Sequence, residues 1–197
     1  MTWQVVRLED VSSSPWKNGG GTTRELIAWP QADDWLWRIS VAEVTQSGPF
    51  SRFEGIERWF AVLEGDGVAL STHGERHRLT ADSAPLRFDG GLATDCDLLG
   101  GPTRDFNMMT RCGAAAATVT RVQGHLSVPI NATEIIAIYS ILTGTSTRFD
   151  SQTVTCEPHS LVWQVAALPG LLDVDASHAV VIHIVLLPGV ENGDASA

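Results

Sequence analysis

The chain has 197 residues, a net charge of −10, 44% hydrophobic residues and 18% charged residues. A negative net charge without a basic cluster argues against binding to nucleic acid or to an anionic membrane surface. No apolar run approaches the roughly 18 residues that a membrane span needs. The first ten residues lack the pattern of a secretory signal, and an odd number of cysteines, three, does not suit a disulfide framework. We therefore expect a soluble, cytoplasmic, globular protein.

Short apolar runs, separated by 18 glycines and 9 prolines, predict strands along the whole chain. In chain order the predicted strands cover residues 3–8, 22–29, 35–44, 59–64, 68–71, 84–88, 93–99, 105–110, 118–122, 134–142, 145–149, 152–156, 160–165 and 180–187. Many short strands with little helix predict an all-β sandwich or barrel. Residues 113–117, one glycine and four alanines, predict either a single helical turn or a linker, and they mark the boundary between two halves.

An internal repeat supports this boundary. Three matches occur in the same order in both halves: residues 59–65 with 138–144, 83–88 with 160–163, and 98–101 with 186–189. They predict two β-barrels of similar build, one over residues 1–113 and one over residues 114–197. The pattern of strand, glycine turn, hairpin and aromatic strand resembles the cupin superfamily. That resemblance implies a double-barrel cupin-like fold, a bicupin of the RmlC-like jelly-roll type.

The histidines and cysteines form no recognisable set of metal ligands. His73 and His77 lie on a predicted hairpin, where residues four apart are roughly 13 Å from each other, too far to hold one ion. The other histidines stand alone, and the three cysteines show no Cys-x-x-Cys spacing. We expect neither a metal nor a cofactor.

The segment around Lys17 is the first candidate for chemistry. Lys17 is the only lysine in the chain, and it stands just before Gly19, Gly20 and Gly21. Three glycines permit positive φ angles and a close approach of a ligand, and consecutive amides in such a turn can bind an anion. The alternative is a flexible hairpin with one solvated lysine. Residues 17–21 therefore predict a small-anion site or a plain hairpin.

Two predicted strands carry the second candidate. Alternation along residues 35–42 separates an apolar face from a more polar one: Trp37, Ile39 and Val41 against Arg38, Ser40 and Ala42. If the apolar face packs in the core, Arg38 meets water. If the other face lines a barrel mouth, Arg38 offers a planar fork to a carboxylate. On a later strand Asp105 and Asn107 share a face, and an aspartate near arginines most often forms a structural ion pair.

These motifs, in this order, resemble the HutD/Ves family of bacterial cupin-like proteins. The resemblance covers residues 16–109. It rests on Trp16-Lys-Asn-Gly-Gly-Gly21 with Thr22 and Glu25, Trp37-Arg-Ile-Ser40, Gly48-Pro-Phe-Ser51, Phe53-x-Gly55 with Arg58, Leu63-x-Gly-x-Gly67, Phe88-x-Gly90 and Asp105-Phe-Asn107. Some members of the family are linked to histidine utilisation, as regulators proposed to sense an intermediate such as formylglutamate or urocanate. Others are linked to temperature stress.

The resemblance implies a metal-free cupin fold whose motif residues form a ligand pocket. Together with the two glycines after Asn18, the predicted ligand-binding set is Lys17, Asn18, Gly19, Gly20, Thr22, Glu25, Arg38, Ser40, Arg58, Asp105 and Asn107. In this hypothesis Lys17 and the glycine amides bind one carboxylate, and Arg38 or Arg58 binds a second carboxylate or a carbonyl. The hydroxyl and amide groups orient the ligand, and Asp105 holds an arginine in place.

Three function classes follow. The first is a protein that binds a small anionic metabolite without turnover and so has no catalytic residues. The second is a metal-free isomerase or hydrolase that uses Glu25, Asp105 or Glu43 as its acid–base group. The third is an interaction protein whose seven tryptophans serve contacts, although most of these lie in predicted strands and are expected in the core. The sequence also permits a homodimer through the second barrel.

Overall fold

The computed structural model describes residues 2–189, and within them the chain is built from strands. These are β1 (Gln4–Arg7), β2 (Ser13–Pro15), β3 (Gly21–Trp29), β4 (Trp37–Val44), β5 (Gly48–Pro49), β6 (Ile56–Glu64), β7 (Val68–Thr72), β8 (Glu75–Leu79), β9 (Leu86–Asp89), β10 (Thr94–Leu98), β11 (Thr103–Arg111), β12 (Ala115–Ile130), β13 (Ile135–Ser140), β14 (Thr145–Phe149), β15 (Gln152–Cys156), β16 (Ser160–Val165) and β17 (Gly170–Leu186). Within residues 2–189 the helical structure consists of one 3-10 turn, Leu8–Asp10. Over the same residues, no helix has the length and apolar character needed to cross a membrane.

The strands belong to two compact units. The site unit contains Ser12–Ala115 and residues 188–189. The C-terminal unit contains Ala116–Leu187 together with residues 2–11.

The first strand does not lie in the N-terminal barrel that the sequence predicts over residues 1–113. β1 pairs antiparallel with β16 of the C-terminal unit, with Gln4 opposite Trp163. The Leu8 amide donates to the carbonyl of His159 at 2.9 Å, and Trp3 packs against the apolar core of that unit. The segment joins the C-terminal unit because it completes the hydrogen bonding of β16 and adds an apolar side chain to its core.

Residues 113–117 form neither a helix nor a linker. A turn at Gly113, with φ of +78°, leads directly into β12 at Ala115. The positive φ suits glycine and reverses the chain. The predicted helical turn is therefore wrong.

Two antiparallel sheets build the site unit. One has six strands in the order β2-β3-β4-β11-β6-β9, and the other has four in the order β5-β10-β7-β8. Their facing sides share one apolar core, which includes Val44, Phe60 and Val62 from the larger sheet and Leu70 and Cys96 from the smaller one. The core lies between two sheets, as in a jelly roll.

The register of β4, β11 and β6 sets which side chains are neighbours. Because side chains two residues apart share a face, the inner face is organised in rows across these strands. From one end, the rows are Arg38–Met109–Arg58, then Ser40–Asn107–Phe60, then Ala42–Asp105–Val62.

The C-terminal unit repeats the pairing scheme of the site unit. β6 pairs with β9 and β11, and β13 pairs with β16 and β17. β7 pairs with β8 and β10, and β14 pairs with β15 and β17. The continuous strand β17 therefore takes the places that β10 and β11 hold in the site unit.

This scheme supports two of the three sequence matches and corrects the third. Residues 59–65 and 138–144 belong to equivalent strands, as do residues 83–88 and 160–163. The match of 98–101 with 186–189 is wrong, because Leu98 ends β10 whereas Leu186 ends the half of β17 that corresponds to β11.

Candidate anion-binding site

A cavity of about 430 Å³ lies against the inner face of the six-stranded sheet of the site unit. β4, β6 and β11 form one wall, and residues 15–18 and 49–53 form the rim. Its volume is in the range of small-molecule sites. Six of the predicted site residues line it: Lys17, Asn18, Arg38, Ser40, Arg58 and Asn107.

Arg58 is the most deeply placed charge of the cavity. It is only 5% exposed, and its Nη2 donates to Oδ1 of Asn107 at 2.8 Å. Its Nη1 makes a long contact of 3.5 Å with the carbonyl of Ser51. Within residues 2–189, no carboxylate forms an ion pair with its guanidinium, and its buried Nε has no hydrogen-bond partner. Arg58 thus holds a positive charge that the described protein does not neutralise.

Three phenyl rings surround the Arg58 guanidinium. Its Cζ lies 5.2 Å from the ring centre of Phe50, 5.6 Å from that of Phe53 and 5.1 Å from that of Phe88. Such cation–π contacts fix the group and offset part of its desolvation. Burial, and then the neighbouring charge of Arg38, lower the pKa of Arg58 to about 10, so it is still protonated at neutral pH.

Arg38 is held by Glu25. Its Nε lies 2.7 Å from Oε2 of Glu25, on the strand next to it in the sheet. Glu25 does not line the cavity, so it positions the arginine rather than facing a ligand. The polar face of β4 therefore lines the cavity, and the alternative in which Arg38 meets only water is excluded. The other face of the strand is buried as well, with Trp37 and Ile39 fully enclosed.

Lys17 and Asn18 lie at the exposed rim of the cavity. Between them and the wall, the indole of Trp16 donates to Oγ1 of Thr23 at 2.8 Å and contacts Phe50 edge to face, with ring centres 6.2 Å apart. These contacts fasten the rim to β3. Lys17 stands at the entrance, where it can attract an anion without being committed to an internal partner.

The glycine triplet does not form the predicted anion-binding nest. The Gly19 amide donates to the carbonyl of Trp16 at 3.0 Å, and the Gly20 amide donates to Oδ1 of Asn18 at 3.0 Å. Neither glycine lines the cavity. Their amides are used by the turn itself, so the prediction that Gly19 and Gly20 contact a ligand is corrected.

The prediction that Thr22 lines the site is wrong by one residue. β3 starts at Gly21, and alternation from there turns Thr22 away from the cavity and Thr23 toward it. Thr23 accepts the bond from Trp16 described above. The sequence motif identified the right strand but the wrong face.

Asp105 does not hold an arginine. It is fully buried, its Oδ2 accepts a hydrogen bond from the Thr103 hydroxyl at 2.8 Å, and its Oδ1 has no partner within the described chain. It lies in the row beyond Asn107 and outside the cavity lining. Burial raises its pKa to about 7, and the Thr103 bond only partly opposes this.

The sequence reasoning missed the aromatic part of the lining. Trp16, Phe50, Phe53 and Phe60 line the cavity together with Met109. Trp16, Phe50 and Phe53 stand inside the motifs quoted above, and that position was the available signal. The cavity therefore combines cationic and apolar surface.

No carboxylate, imidazole or thiol is found among the residues that line the cavity, all of which belong to the described part of the chain. Nor do residues 2–189 contain a group of three or more His, Cys, Asp or Glu side chains that could hold a metal ion. The chemistry of the lining is that of hydrogen-bond donors and positive charge.

The fold and the cavity define the class of this molecule: an all-β protein of two cupin-like units, one of which carries a cavity lined by arginines. The chain belongs to the HutD family, whose model matches residues 8–181.

The chain is similar in sequence to two curated relatives and in structure to a solved protein. The chain is 40% identical over 108 residues to an uncharacterised 21.2 kDa protein from the hutC 3′ region of Pseudomonas putida, covering 54% of this chain and 57% of the relative. It is 37% identical over 106 residues to protein Ves of Escherichia fergusonii, covering 53% and 56%. The matches thus span little more than half of these relatives. The structure of HutD from Pseudomonas fluorescens SBW25, in a formate condition, superposes with a TM-score of 0.81 at 26% identity and covers 94% of this chain and 99% of that one.

A more distant likeness bears on the fold alone. A cupin 2 conserved barrel domain protein from Leptotrichia buccalis superposes with a TM-score of 0.57 at 7% identity, over 93% of this chain and 96% of that one. The predicted all-β, cupin-like fold is confirmed.

Proposed function

We propose that this HutD-family protein is a cytoplasmic, non-catalytic binder of a small carboxylate metabolite, and that it senses or buffers that metabolite as a regulator of histidine utilisation. Formylglutamate and urocanate are the candidate ligands. The observation that carries the proposal is Arg58, a buried guanidinium that faces a cavity and has no carboxylate partner among the described residues.

The electrostatics favour an anion. Arg58, Arg38 and Lys17 bring three positive charges to the cavity, and Glu25 neutralises one of them. Burying an uncompensated charge is unfavourable, and a ligand carboxylate would relieve this. Charge-assisted hydrogen bonds contribute about 1.5–3 kcal/mol each. Two or three of them, less the cost of association, correspond to an affinity no tighter than about micromolar.

The names of two related proteins support a role in histidine utilisation. One curated relative is named for its place beside hutC, and the solved HutD structure is named for a formate condition. Formate is itself a small carboxylate, so an anion of this type is chemically suited to the arginines described above.

The geometry gives less support to an enzyme. The three acid–base candidates lie elsewhere: Glu25 is paired with Arg38, Asp105 is outside the lining, and Glu43 is exposed beside Arg104. The tryptophans give no support to an interaction surface, since each of the seven is buried or half-buried.

Thermal unfolding with and without N-formylglutamate or urocanate tests the proposal. We expect either ligand to raise the Tm of the wild-type protein, and we expect Lys17→Ala and Arg38→Ala to remove most of the shift, because each loses a charge that faces the ligand. Arg87→Ala is the matched control: Arg87 is an exposed arginine of the same unit that pairs with Glu57 outside the cavity. If both cavity variants keep the full shift, the site assignment is wrong.

A further inference from the structure

The strongest unexplained feature of the site unit is the carboxyl of Asp105. It lies on β11 two residues from Asn107 and on the same face of the strand. Residues so related are roughly 7 Å apart along a strand. Asn107 lines the cavity and bonds to Arg58, so Asp105 is the next side chain along the inner face from a residue that a ligand carboxylate would meet.

We propose that anion binding in the cavity is linked to proton uptake by Asp105. This inference rests on the proposed function, and it concerns the regulation of the same site. When Asp105 is neutral, the cavity presents its full positive charge to a ligand. When Asp105 is ionised, a like charge lies near the bound carboxylate and weakens its binding.

The surroundings of Asp105 leave its charge uncompensated. Its neighbours in the row are Ala42 and Val62, which cannot neutralise it. Among residues 2–189 the Thr103 hydroxyl is the group that donates a hydrogen bond to its carboxyl. Its second oxygen has no hydrogen-bond partner in the described chain. A carboxyl in such a place takes up a proton more readily than one in water.

The other ionisable groups near Asp105 do not change their charge over the pH range in which Asp105 titrates. From the smaller sheet, burial and then Asp105 itself raise the pKa of the Cys96 thiol to about 12, so Cys96 stays neutral. The guanidinium of Arg58, whose pKa is about 10, keeps its charge throughout the relevant range. The remaining nearby charges pair with arginines: Glu25 with Arg38, and Glu43 and Glu64 with Arg104 on the opposite face of the sheet.

The position of Asp105 also suits a pH response in the neutral range. Because its pKa is raised to about 7, Asp105 is mostly neutral in a mildly acidic cell interior and mostly ionised in a mildly alkaline one. The cavity lining contains no histidine or carboxylate that would titrate over the same range. Asp105 is therefore the group expected to give ligand binding its pH dependence.

Calorimetric titration of the full chain with N-formylglutamate tests the linkage. Repeating the titration in buffers of different ionisation enthalpy gives the number of protons taken up on binding. We expect the wild-type protein to take up a fraction of a proton near pH 7. We expect its affinity to fall on the order of tenfold between about pH 6 and about pH 8.5, as for like charges on the order of 10 Å apart in a partly buried site. The ligand carboxylates are ionised over this whole range.

Two variants make the test specific. Asp105→Asn mimics the neutral carboxyl. We expect this variant to bind the ligand above pH 8 with the affinity that the wild type has near pH 6, and to take up no proton on binding. Thr103→Val removes the bond that favours the ionised form, so the fall in affinity should move to higher pH. The number of protons that the wild-type protein takes up on binding tests the linkage even if a variant is unstable.

Each failure has a distinct meaning. Binding whose affinity and proton count do not change with pH overturns the linkage and leaves the proposed function standing. Asp105→Asn with the pH dependence of the wild type overturns it as well. No binding of N-formylglutamate or urocanate at any pH overturns the proposed function and the linkage together.

Discussion

Arg58 is a charged side chain that the fold buries among phenyl rings without a carboxylate beside it in the described chain. Most buried arginines are paired, because an isolated charge in a protein interior is strongly disfavoured. The amide of Asn107 and the three rings offset this only in part. Such an arrangement is explained more readily by a ligand than by stability, and the same argument does not apply to Arg38, which has Glu25.

Asp105 makes the stability of the ligand-free protein depend on pH. Its pKa is raised from 3.8 to about 7 by burial. The folded protein therefore binds more protons than the unfolded chain between about pH 4 and pH 7, so the free energy of unfolding falls as pH rises through this window and levels off above it. At about 1.4 kcal/mol per pKa unit, the full change is at most about 4 kcal/mol.

Urea unfolding of the wild type and of Asp105→Asn over this pH range measures the contribution. We expect the two to be similar in stability near pH 4, and the Asn variant to become the more stable by a few kcal/mol near pH 7. Parallel curves for the two proteins would show that Asp105 titrates in the folded state as it does in the unfolded chain.

The site residues divide clearly into those that the sequence could identify and those that it could not. Alternation along one strand put Arg38 and Ser40 on the same face without deciding whether that face meets water or a cavity, and the structure places both in the cavity wall. Asp105 was misassigned because Arg104 is its neighbour in sequence, whereas alternation sends Arg104 to the opposite face, where it bonds to Glu64. An ion pair cannot be inferred from adjacent positions on a strand.

At the scale of elements, the glycine triplet is structural. A Cβ on Gly21 would lie 2.4 Å from the backbone carbonyl oxygen of Glu43 and 3.2 Å from the ring of Trp16. Gly19 supplies a positive φ of +72° to the turn. The triplet thus brings the rim close against β4 and seats Trp16 over Thr23, which shapes the cavity without contacting its contents.

Gly21→Ala should therefore destabilise the protein, by about 2–3 kcal/mol, because a backbone atom cannot move aside as a flexible side chain can. Gly20→Ala is the matched control. Its Cβ would meet only the side chain of Asn18, at 3.4 Å, and its φ is not in the left-handed region. Chemical denaturation measures both. Equal stabilities of the two variants would contradict the packing role given to Gly21.

Alternation predicted most strands, and its failures have physical causes. β14, β15 and β16 have the predicted bounds. β8 was missed because its sequence, Glu-Arg-His-Arg-Leu, is that of an exposed strand with few apolar residues. The first half of β17 was missed because it starts at the glycine of a Pro-Gly pair, although Leu172 and Val174 are buried and alternate with exposed or half-exposed aspartates.

At the scale of the whole molecule, two units share one pairing scheme but differ in their interiors. On β13, the strand equivalent to β6, the inward residues include Ile136 and Ile138, whereas those of β6 include Arg58 and Phe60. The buried residue opposite Ile136 on β16 is the uncharged Gln164. The charged cavity is thus a property of the site unit rather than of the fold, and the motifs that predicted a pocket lie in that unit.

The two-unit organisation was predictable, but the path of the chain was not. The internal repeat predicted two units and identified two pairs of equivalent strands, although its third match was wrong. It could not show that residues 2–11 join the C-terminal unit, because strand pairing between distant segments leaves no periodic signal in a single sequence.

The crystal structure of the protein grown with N-formylglutamate tests the central claim most directly. The account predicts electron density for the ligand in the cavity of the site unit, with a carboxylate within about 3 Å of Arg58 and of the Asn107 amide nitrogen. Ligand density that lies only on exposed arginines such as Arg87, with the cavity holding water alone, would contradict it.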